Sequence, residues 1–247
     1  MPAKPTRPAP PPLSALLAQG PLALFVDFDG TLVEIAPSPD AIVVPGSLAR
    51  RLVALAATLD GRLALVSGRG IDDIERHCGA LAVALAGSHG AALRTADGKG
   101  CGTGPAPIPA QVVAEVEAFA LREAVGFEHK PHGAALHSRA APHREADCLS
   151  FMTGLAERHG LTAKPGKRVV ELVHPGADKG TAVELFMAEE PFNGAMPVFI
   201  GDDVTDEDGF AACTRLGGFG IAVGERSSDH AAFFLSGPQA VHSWLRL

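Results

Sequence analysis

The sequence predicts an α/β protein: a parallel, doubly wound sheet with helices on both faces, interrupted by a smaller inserted α/β unit. Three observations predict it. Short apolar runs at residues 22–26, 62–66, 81–86, 197–200 and 220–223 alternate with stretches of helical periodicity. Such runs, ended by acids, serine or glycine, are typical of strands buried on both faces, as in parallel sheets. Between residues 105 and 174 the order changes to helix, strand, strand, helix, strand, strand. That order fits a small antiparallel unit set into the parallel one.

The elements follow in order. The opening MPAKPTRPAPPPL has no apolar stretch before its prolines, so it is no secretory signal. Residues 1–20 read as a disordered Pro-rich tail, with a short helix over 13–18 leading into the first strand, LALFV at 22–26. VEIAPSPDAIVVP then forms an irregular loop across the top of the sheet. Residues 46–59 are helical, because Leu48, Leu52, Leu55 and Leu59 fall on one stripe. A second strand covers 62–66. A short helix over 71–77 opens on Asp72 and Asp73, acids that suit a helix N-terminus. A third strand covers 81–86, and the Gly- and Pro-rich residues 94–109 form a hairpin or hinge.

In the insert, a helix over 109–125 turns Val112, Val113, Val116, Phe119 and Ala120 inward. A strand pair over 126–139 breaks at 131–133. A second helix, over 143–159, buries Leu149, Met152, Leu155 and Ala156, and a second hairpin over 162–173 ends in VVEL. The parallel pattern returns with a helix at 179–187, a strand at 197–200, a helix at 209–215 and a last strand at 220–223. Residues 228–234 and 241–247 read as helical, with Trp244 packing on the core. The predicted division is a tail over 1–20, a core over 21–104 and 175–247, and a cap over 105–174.

Composition excludes several classes. The chain has 247 residues, 47% of them apolar, enough for a large core. Its formal charge of −7, with no long basic run, argues against nucleic acid as a partner. No apolar run is long enough for a membrane span. Cys78, Cys101, Cys148 and Cys213 lie far apart without zinc spacing. They read as reduced thiols, which points to a cytoplasmic protein. A monomer is compatible with the sequence. Two imitations are set aside. His129, His132 and His137 lack the Cys or acid pattern of a zinc site. Gly98, Gly100, Gly102 and Gly104 lack dinucleotide-loop spacing and do not join a strand to a helix.

The chemistry centres on residues 22–32, LALFVDFDGTL. Strand alternation aims Asp27 and Asp29 the same way and turns Phe28 to the core. Two carboxylates at the end of a buried strand need a counter-charge, and Mg2+ is the simplest one for hard oxygen ligands. Ligands of open α/β sheets bind at these strand ends.

D-x-D-G-T-L after an apolar strand resembles the first motif of the haloacid dehalogenase (HAD) superfamily of phosphotransferases. The resemblance implies a HAD-type, Rossmann-like core with a cap, with Asp27 as nucleophile and Asp29 as general acid and base. Three further segments fit in order. Ser67 follows LALV and offers a hydroxyl to phosphoryl oxygens, while Gly68 lets backbone amides approach. Lys179, after PGAD, would neutralise charge on the phosphoryl group and on Asp27. GDDVTDED puts Asp202 at a strand end within reach of the metal, with Asp203 and Asp206 orienting its outer shell. The metal set is thus Asp27, Asp29, Asp202, Asp203 and Asp206.

A closer resemblance rests on VSGR at 66–69, AGSHGA at 86–91, VVEL at 169–172, PGADKG and GDDVTDEDGF. Together these are similar to the trehalose-6-phosphate phosphatases. The resemblance implies Mg2+-dependent hydrolysis of trehalose 6-phosphate through an aspartyl phosphate, the last step of trehalose biosynthesis. It also implies Arg69, Lys130 and Glu171 as sugar or phosphate contacts. Arg139 closes an H-S-R segment where that family has H-Y-R, and Ser88 stands where it has Leu or Val. His89 reads as a residue lining the crevice between core and cap. The alternatives are a capped phosphatase for another sugar phosphate, such as sucrose 6-phosphate, and a non-enzymatic phospho-acceptor or sensor.

Overall fold

The structure is a computed structural model that describes residues 7–37, 39–100, 107–130, 132–166 and 168–247. Its elements, in chain order, are α1 (Leu13–Leu17), β1 (Leu22–Val26), α2 (Leu48–Thr58), β2 (Leu63–Val66), α3 (Ile71–Cys78), β3 (Ala84–Gly87) and β4 (Ala92–Arg94). There follow α4 (Ala110–Glu123), β5 (Gly126–Lys130), β6 (Gly133–His137), α5 (Glu145–His159), β7 (Thr162–Gly166) and β8 (Val169–Val173). The last are α6 (Lys179–Met187), β9 (Met196–Gly201), α7 (Asp206–Arg215), β10 (Phe219–Val223), β11 (Ala231–Leu235) and α8 (Pro238–Leu245). Two compact units result: one from Met1–Thr103 with Asp178–Leu247, the other from Gly104–Ala177.

The first unit is built on β1. The sheet runs β11-β10-β9-β1-β2-β3-β4, parallel except for the β3–β4 pair. All five residues of β1 are buried. Successive side chains point to opposite faces of a strand, so such a strand needs cover on both sides. Leu22, Leu24 and Val26 pack with Leu48, Leu52 and Leu55 of α2 and with Val241 and Leu245 of α8. Ala23 and Phe25 pack with Val183 and Phe186 of α6 and with Phe210 of α7. The Phe25 ring lies 5.6 Å from Phe192 and 6.2 Å from Phe186, centroid to centroid. Truncating so buried a ring costs about 3–5 kcal/mol. The predicted α/β class with a parallel sheet and helices on both faces is borne out.

Three details differ from the sequence reading. Residues 231–235 form an edge strand beside β10, not a helix. AAFFL is apolar throughout, and its aromatic pair favours the strand: Phe233 packs edge-on to Phe219 at 4.9 Å. Residues 92–94 add an antiparallel strand that the Gly-rich hinge concealed. Leu149, expected inside, is 39% exposed, and Cys148 takes the buried position on α5.

The Pro-rich stretch is also docked from residue 7 onward, not disordered. Pro8 O accepts the Phe234 N–H at 3.1 Å, and Pro11 O accepts Trp244 Nε1–H at 2.8 Å. Trp244 packs against the core, as read. Extended Pro-rich chain has no internal hydrogen bonds, so its carbonyls can cap a sheet edge. Residues 1–6 and 101–106, with Cys101, and position 131 of the expected strand break lie outside the described residues.

The second unit is an antiparallel sheet in the order β5-β6-β8-β7 with α4 and α5. Ala134 and Leu136 of β6 and Val170 and Leu172 of β8 pack with Val112, Val116 and Phe119 of α4 and Met152 and Leu155 of α5. Alternation puts Glu128, Lys130, Lys164 and Glu171 on the other sheet face, where the register sets Glu171 opposite Ala135 and Lys164.

Candidate active site

Four strand-end segments of the first unit meet at one place. Asp27 follows β1, and its N–H donates to Ile200 O at 2.9 Å, so the ladder fixes its backbone before the chain turns. Its side chain is 5% exposed, and Phe28 is wholly buried. The turn needs Gly30, whose φ is +80° and whose missing Cβ would lie 2.2 Å from Asp202 Oδ2. Ser67 follows β2 and is 1% exposed; its Oγ accepts the Arg69 N–H at 3.2 Å. His89 is buried in left-handed backbone at φ +55°, donates its N–H to Ser67 O and sets its ring over Gly68, where a Cβ would lie 2.6 Å from it.

Lys179 opens α6. The preceding Asp178 caps that helix by accepting the Thr181 N–H at 2.7 Å, which fixes where the helix starts. The Lys179 ammonium, 2% exposed, donates to Asp27 Oδ1 at 2.7 Å and Asp206 Oδ1 at 2.6 Å. Asp202 follows β9. Asp206 stands in the first turn of α7, which begins three residues earlier than residue 209. It is wholly buried, and its Oδ2 accepts the Asp203 N–H at 2.7 Å.

Oxygen atoms of Asp27, Asp202 and Asp206 lie within 4.8 Å of one another. Burial pushes the Asp27 carboxyl well above its ordinary range; Lys179 opposes the rise, and Asp206 and Asp202 add to it. Burial, then Asp206, pushes Asp202 up to about 7. Burial alone would lower the Lys179 ammonium, but Asp206 and Asp27 hold it above its usual range. When all three carboxylates are ionised, one ammonium against them leaves two negative charges at the site. A hard divalent cation matches that donor set and that charge.

The other two acids of the expected metal set do not join this group. Asp29 is held by Arg69 in a two-pronged pair, Nε to Oδ2 at 2.6 Å and Nη2 to Oδ1 at 2.8 Å. Asp203 Oδ1 accepts the Val204 N–H at 2.7 Å. Arg69 also binds Asp73 at 2.6 Å, so the residue read as a substrate contact braces Asp29 against α3. Thr31, quoted in the first motif without a role, places its Oγ1 3.4 Å from Asp202 Oδ1. Among the described residues a second trio has metal-ligand spacing, Asp40, Asp73 and His77; its two acids are already paired with arginines, and Asp40 is exposed.

The other expected contacts lie in the second unit. Lys130 and Glu171 are both 8% exposed and pair with each other. Arg139 is exposed, just past β6.

Residues 25–238 match the family described as trehalose-phosphatase. The chain belongs to the trehalose-phosphatase family. It is 38% identical over 231 residues to the trehalose-6-phosphate phosphatase of Escherichia coli (strain K12), covering 91% of this chain and 85% of that protein. Its fold is similar to the C-terminal domain of the C. albicans trehalose-6-phosphate phosphatase, at a TM-score of 0.81 and 22% identity, over 97% of this chain and 96% of that one. It is also similar to a phosphatase of the haloalkanoate (HAD) superfamily from Bacteroides thetaiotaomicron, at a TM-score of 0.61 and 16% identity, over 91% and 93%. These two likenesses show the HAD-type fold with its cap. Asp27, Ser67 and Asp202 stand just past the ends of parallel strands, and Lys179 stands at the start of α6.

Proposed function

We propose that this chain hydrolyses trehalose 6-phosphate to trehalose and phosphate, with Asp27 as the phosphoryl acceptor. The observation that carries the reading is the Lys179 ammonium bridging Asp27 and Asp206 beside Asp202. A nucleophilic carboxylate facing a phosphate dianion needs positive charge beside it; Lys179 supplies one such charge, and the surplus of carboxylates leaves room for a bound cation to supply more.

In the first step an Asp27 carboxylate oxygen bonds to phosphorus and the bond from phosphorus to the sugar oxygen breaks. Once Arg69 releases one of its oxygens, Asp29 serves as the acid that gives a proton to the departing sugar oxygen. In the second step the Asp29 carboxylate takes a proton from water, the water oxygen bonds to phosphorus, and the bond to Asp27 breaks. Ser67, the backbone amides beside Gly68 and the Lys179 ammonium donate hydrogen bonds to the phosphoryl oxygens. Arg69 orients Asp29 through its two-pronged pair. Asp27 and Asp202, with Asp206 beside them, are the residues to hold Mg2+, which when bound supplies positive charge opposite the phosphoryl oxygens.

The sugar contacts we propose are Lys130, Arg139 and Glu171, with His89 beside the phosphate. A buried Lys130–Glu171 pair on a sheet face supports the first and last, since a disaccharide is gripped by charged hydrogen-bonding groups. The free thiols of Cys78, Cys148 and Cys213 support a cytoplasmic site of action, and no helix among the described residues is long and apolar enough to cross a membrane.

Phosphate release from trehalose 6-phosphate, sucrose 6-phosphate and glucose 6-phosphate, with Mg2+ and with a chelator, tests the proposal. The expected result is Mg2+-dependent turnover with kcat/KM for trehalose 6-phosphate at least about tenfold above the others. Equal rates on all three would reject the substrate assignment, and stable phosphorylation without turnover would reject the enzyme.

A further inference from the structure

We propose that Arg226 and Glu207 are positioning residues that hold the peptide carrying Asp202 in the orientation needed to bind a metal ion. The proposal rests on the reading of Asp202 as a ligand of that ion.

The placement follows from the sheet. β9 and β10 are parallel neighbours, with Ala222 opposite Gly201, so the chain leaves both strands at the same edge. The segment after β9 carries Asp202, Asp203, Asp206, Glu207 and Asp208 within seven residues. The segment after β10, residues 224–230, turns at Gly224, whose φ is +78°, and lays Arg226 across the acidic one. Arg226 Nε donates to Asp202 O at 3.3 Å, and Nη2 donates to Asp203 O at 3.0 Å and to the Glu207 carboxylate. Two successive carbonyls, those of the candidate ligand and of its neighbour, are therefore held by one planar cation. A guanidinium presents its donors in a fixed fork, so it sets the tilt of both peptides as well as neutralising charge.

Glu207 makes that placement rigid. It is 14% exposed on its side chain, in the first turn of α7 next to Asp206. Its Oε2 accepts Ser228 Oγ–H at 3.1 Å, the Asp229 N–H at 3.1 Å and the His230 N–H at 3.0 Å, while Oε1 accepts from Arg226. Burial alone would push this carboxyl up, but the bonds from Arg226 and Ser228 hold it below its usual range. Ser228 Oγ in turn accepts the Ala231 N–H at 2.9 Å, which ties the segment to the start of β11. Arg7 donates to Ser228 O and, at 2.5 Å, to Ala231 O from the N-terminal side.

A solvent-exposed ion pair contributes little. This one differs because two of the cation's nitrogens also donate to the Asp202 and Asp203 carbonyls while Nη1 donates to Ser227 O at 2.9 Å in its own loop, and because the carboxylate's remaining capacity goes to three donors of that loop. The clamp would act on metal affinity, with no direct contact to the substrate.

The test is Mn2+ binding to the substrate-free protein, read by electron paramagnetic resonance of free Mn2+. Circular dichroism checks the fold, and the Mg2+ activation curve is measured alongside. Arg226→Ala is expected to weaken Mn2+ binding roughly tenfold or more, with KM for the sugar phosphate at saturating Mg2+ unchanged. Arg226→Lys should recover part of the loss, and Glu207→Gln should weaken binding in the same direction. The double variant should be no worse than the weaker single, because the two act through one another. Arg226→Gln serves if the alanine variant does not fold. Wild-type Mn2+ affinity in folded Arg226→Ala or Arg226→Gln, with Asp202→Ala losing Mn2+, overturns the clamp alone. Wild-type affinity in Asp202→Ala overturns the metal reading and the clamp with it.

Discussion

Lys179 Nζ lies 2.7 Å from Asp27 Oδ1, with both side chains no more than 5% exposed. The same ammonium is the counter-charge of Asp206, so removing it strands two buried carboxylates at once. Breaking one partner of a buried pair costs about 3–5 kcal/mol. Lys179→Met is expected to lower the melting temperature of the metal-free protein by on the order of 10 °C at pH 7.5. The loss should shrink at pH 5, because Asp27, already raised by burial, takes up a proton more readily there. Differential scanning calorimetry at both pH values checks this. An equal loss at the two pH values would mean that Lys179 acts through packing.

Asp27→Asn separates chemistry from stability. The amide keeps the shape and removes one of three crowded negative charges, so folding should be retained. Losing the phosphoryl acceptor should lower kcat by roughly a thousandfold or more. Phosphate release and near-ultraviolet circular dichroism read the two effects. Turnover near the wild-type rate would remove Asp27 from the mechanism.

What was legible in the sequence follows from how each feature is built. Residues 22–26 read as a central strand because a strand covered on both faces must be apolar without interruption. The segments at Asp27, Ser67 and Asp202 were legible because each puts a polar residue straight after such a run. The strand 231–235 was not, because five apolar residues carry no period that separates helix from strand. The early start of α7 was hidden by its own chemistry. Asp206, Glu207 and Asp208 look like a solvated loop, yet acids in a first helical turn face the positive end of the helix dipole. Arg69 pairs with a carboxylate forty residues away, and Arg226 binds backbone carbonyls. Neither interaction leaves a pattern along the chain.

The raised Asp202 carboxyl sets a pH dependence with a definite sign. Its ordinary value is 3.8, and in the folded protein it is about 7. Between those values the folded state holds a proton that the unfolded chain has released. This group's contribution to metal-free stability therefore falls as pH rises from about 4 to about 7. Metal binding needs the released form, so Mg2+ affinity should rise by at least about tenfold per pH unit between pH 5 and 7, because Asp27, also raised by burial, competes with protons for the same ion. Calorimetric titration of Mg2+ at several pH values measures the slope. A flat profile in wild-type protein would show that Asp202 does not compete with protons for the ion. Asp202→Asn should bind weakly at every pH.

The Lys130–Glu171 pair bears on substrate choice. Both residues sit on the sheet face away from α4 and α5, on strands where alternation could equally have supplied apolar side chains. A buried ion pair is weak support for stability, so its presence there favours a binding role. Glu171→Ala is expected to lower kcat/KM for trehalose 6-phosphate by about 10- to 100-fold, the range of a lost charged hydrogen bond. For a small aryl phosphate, which has no sugar hydroxyls, the change should stay within about twofold. Lys130→Ala combined with Glu171→Ala should cost less than the two singles added, because each residue already loses its partner in the single variant. Parallel steady-state kinetics on both substrates decide the matter. Equal losses on the two would place Glu171 in the support of the fold.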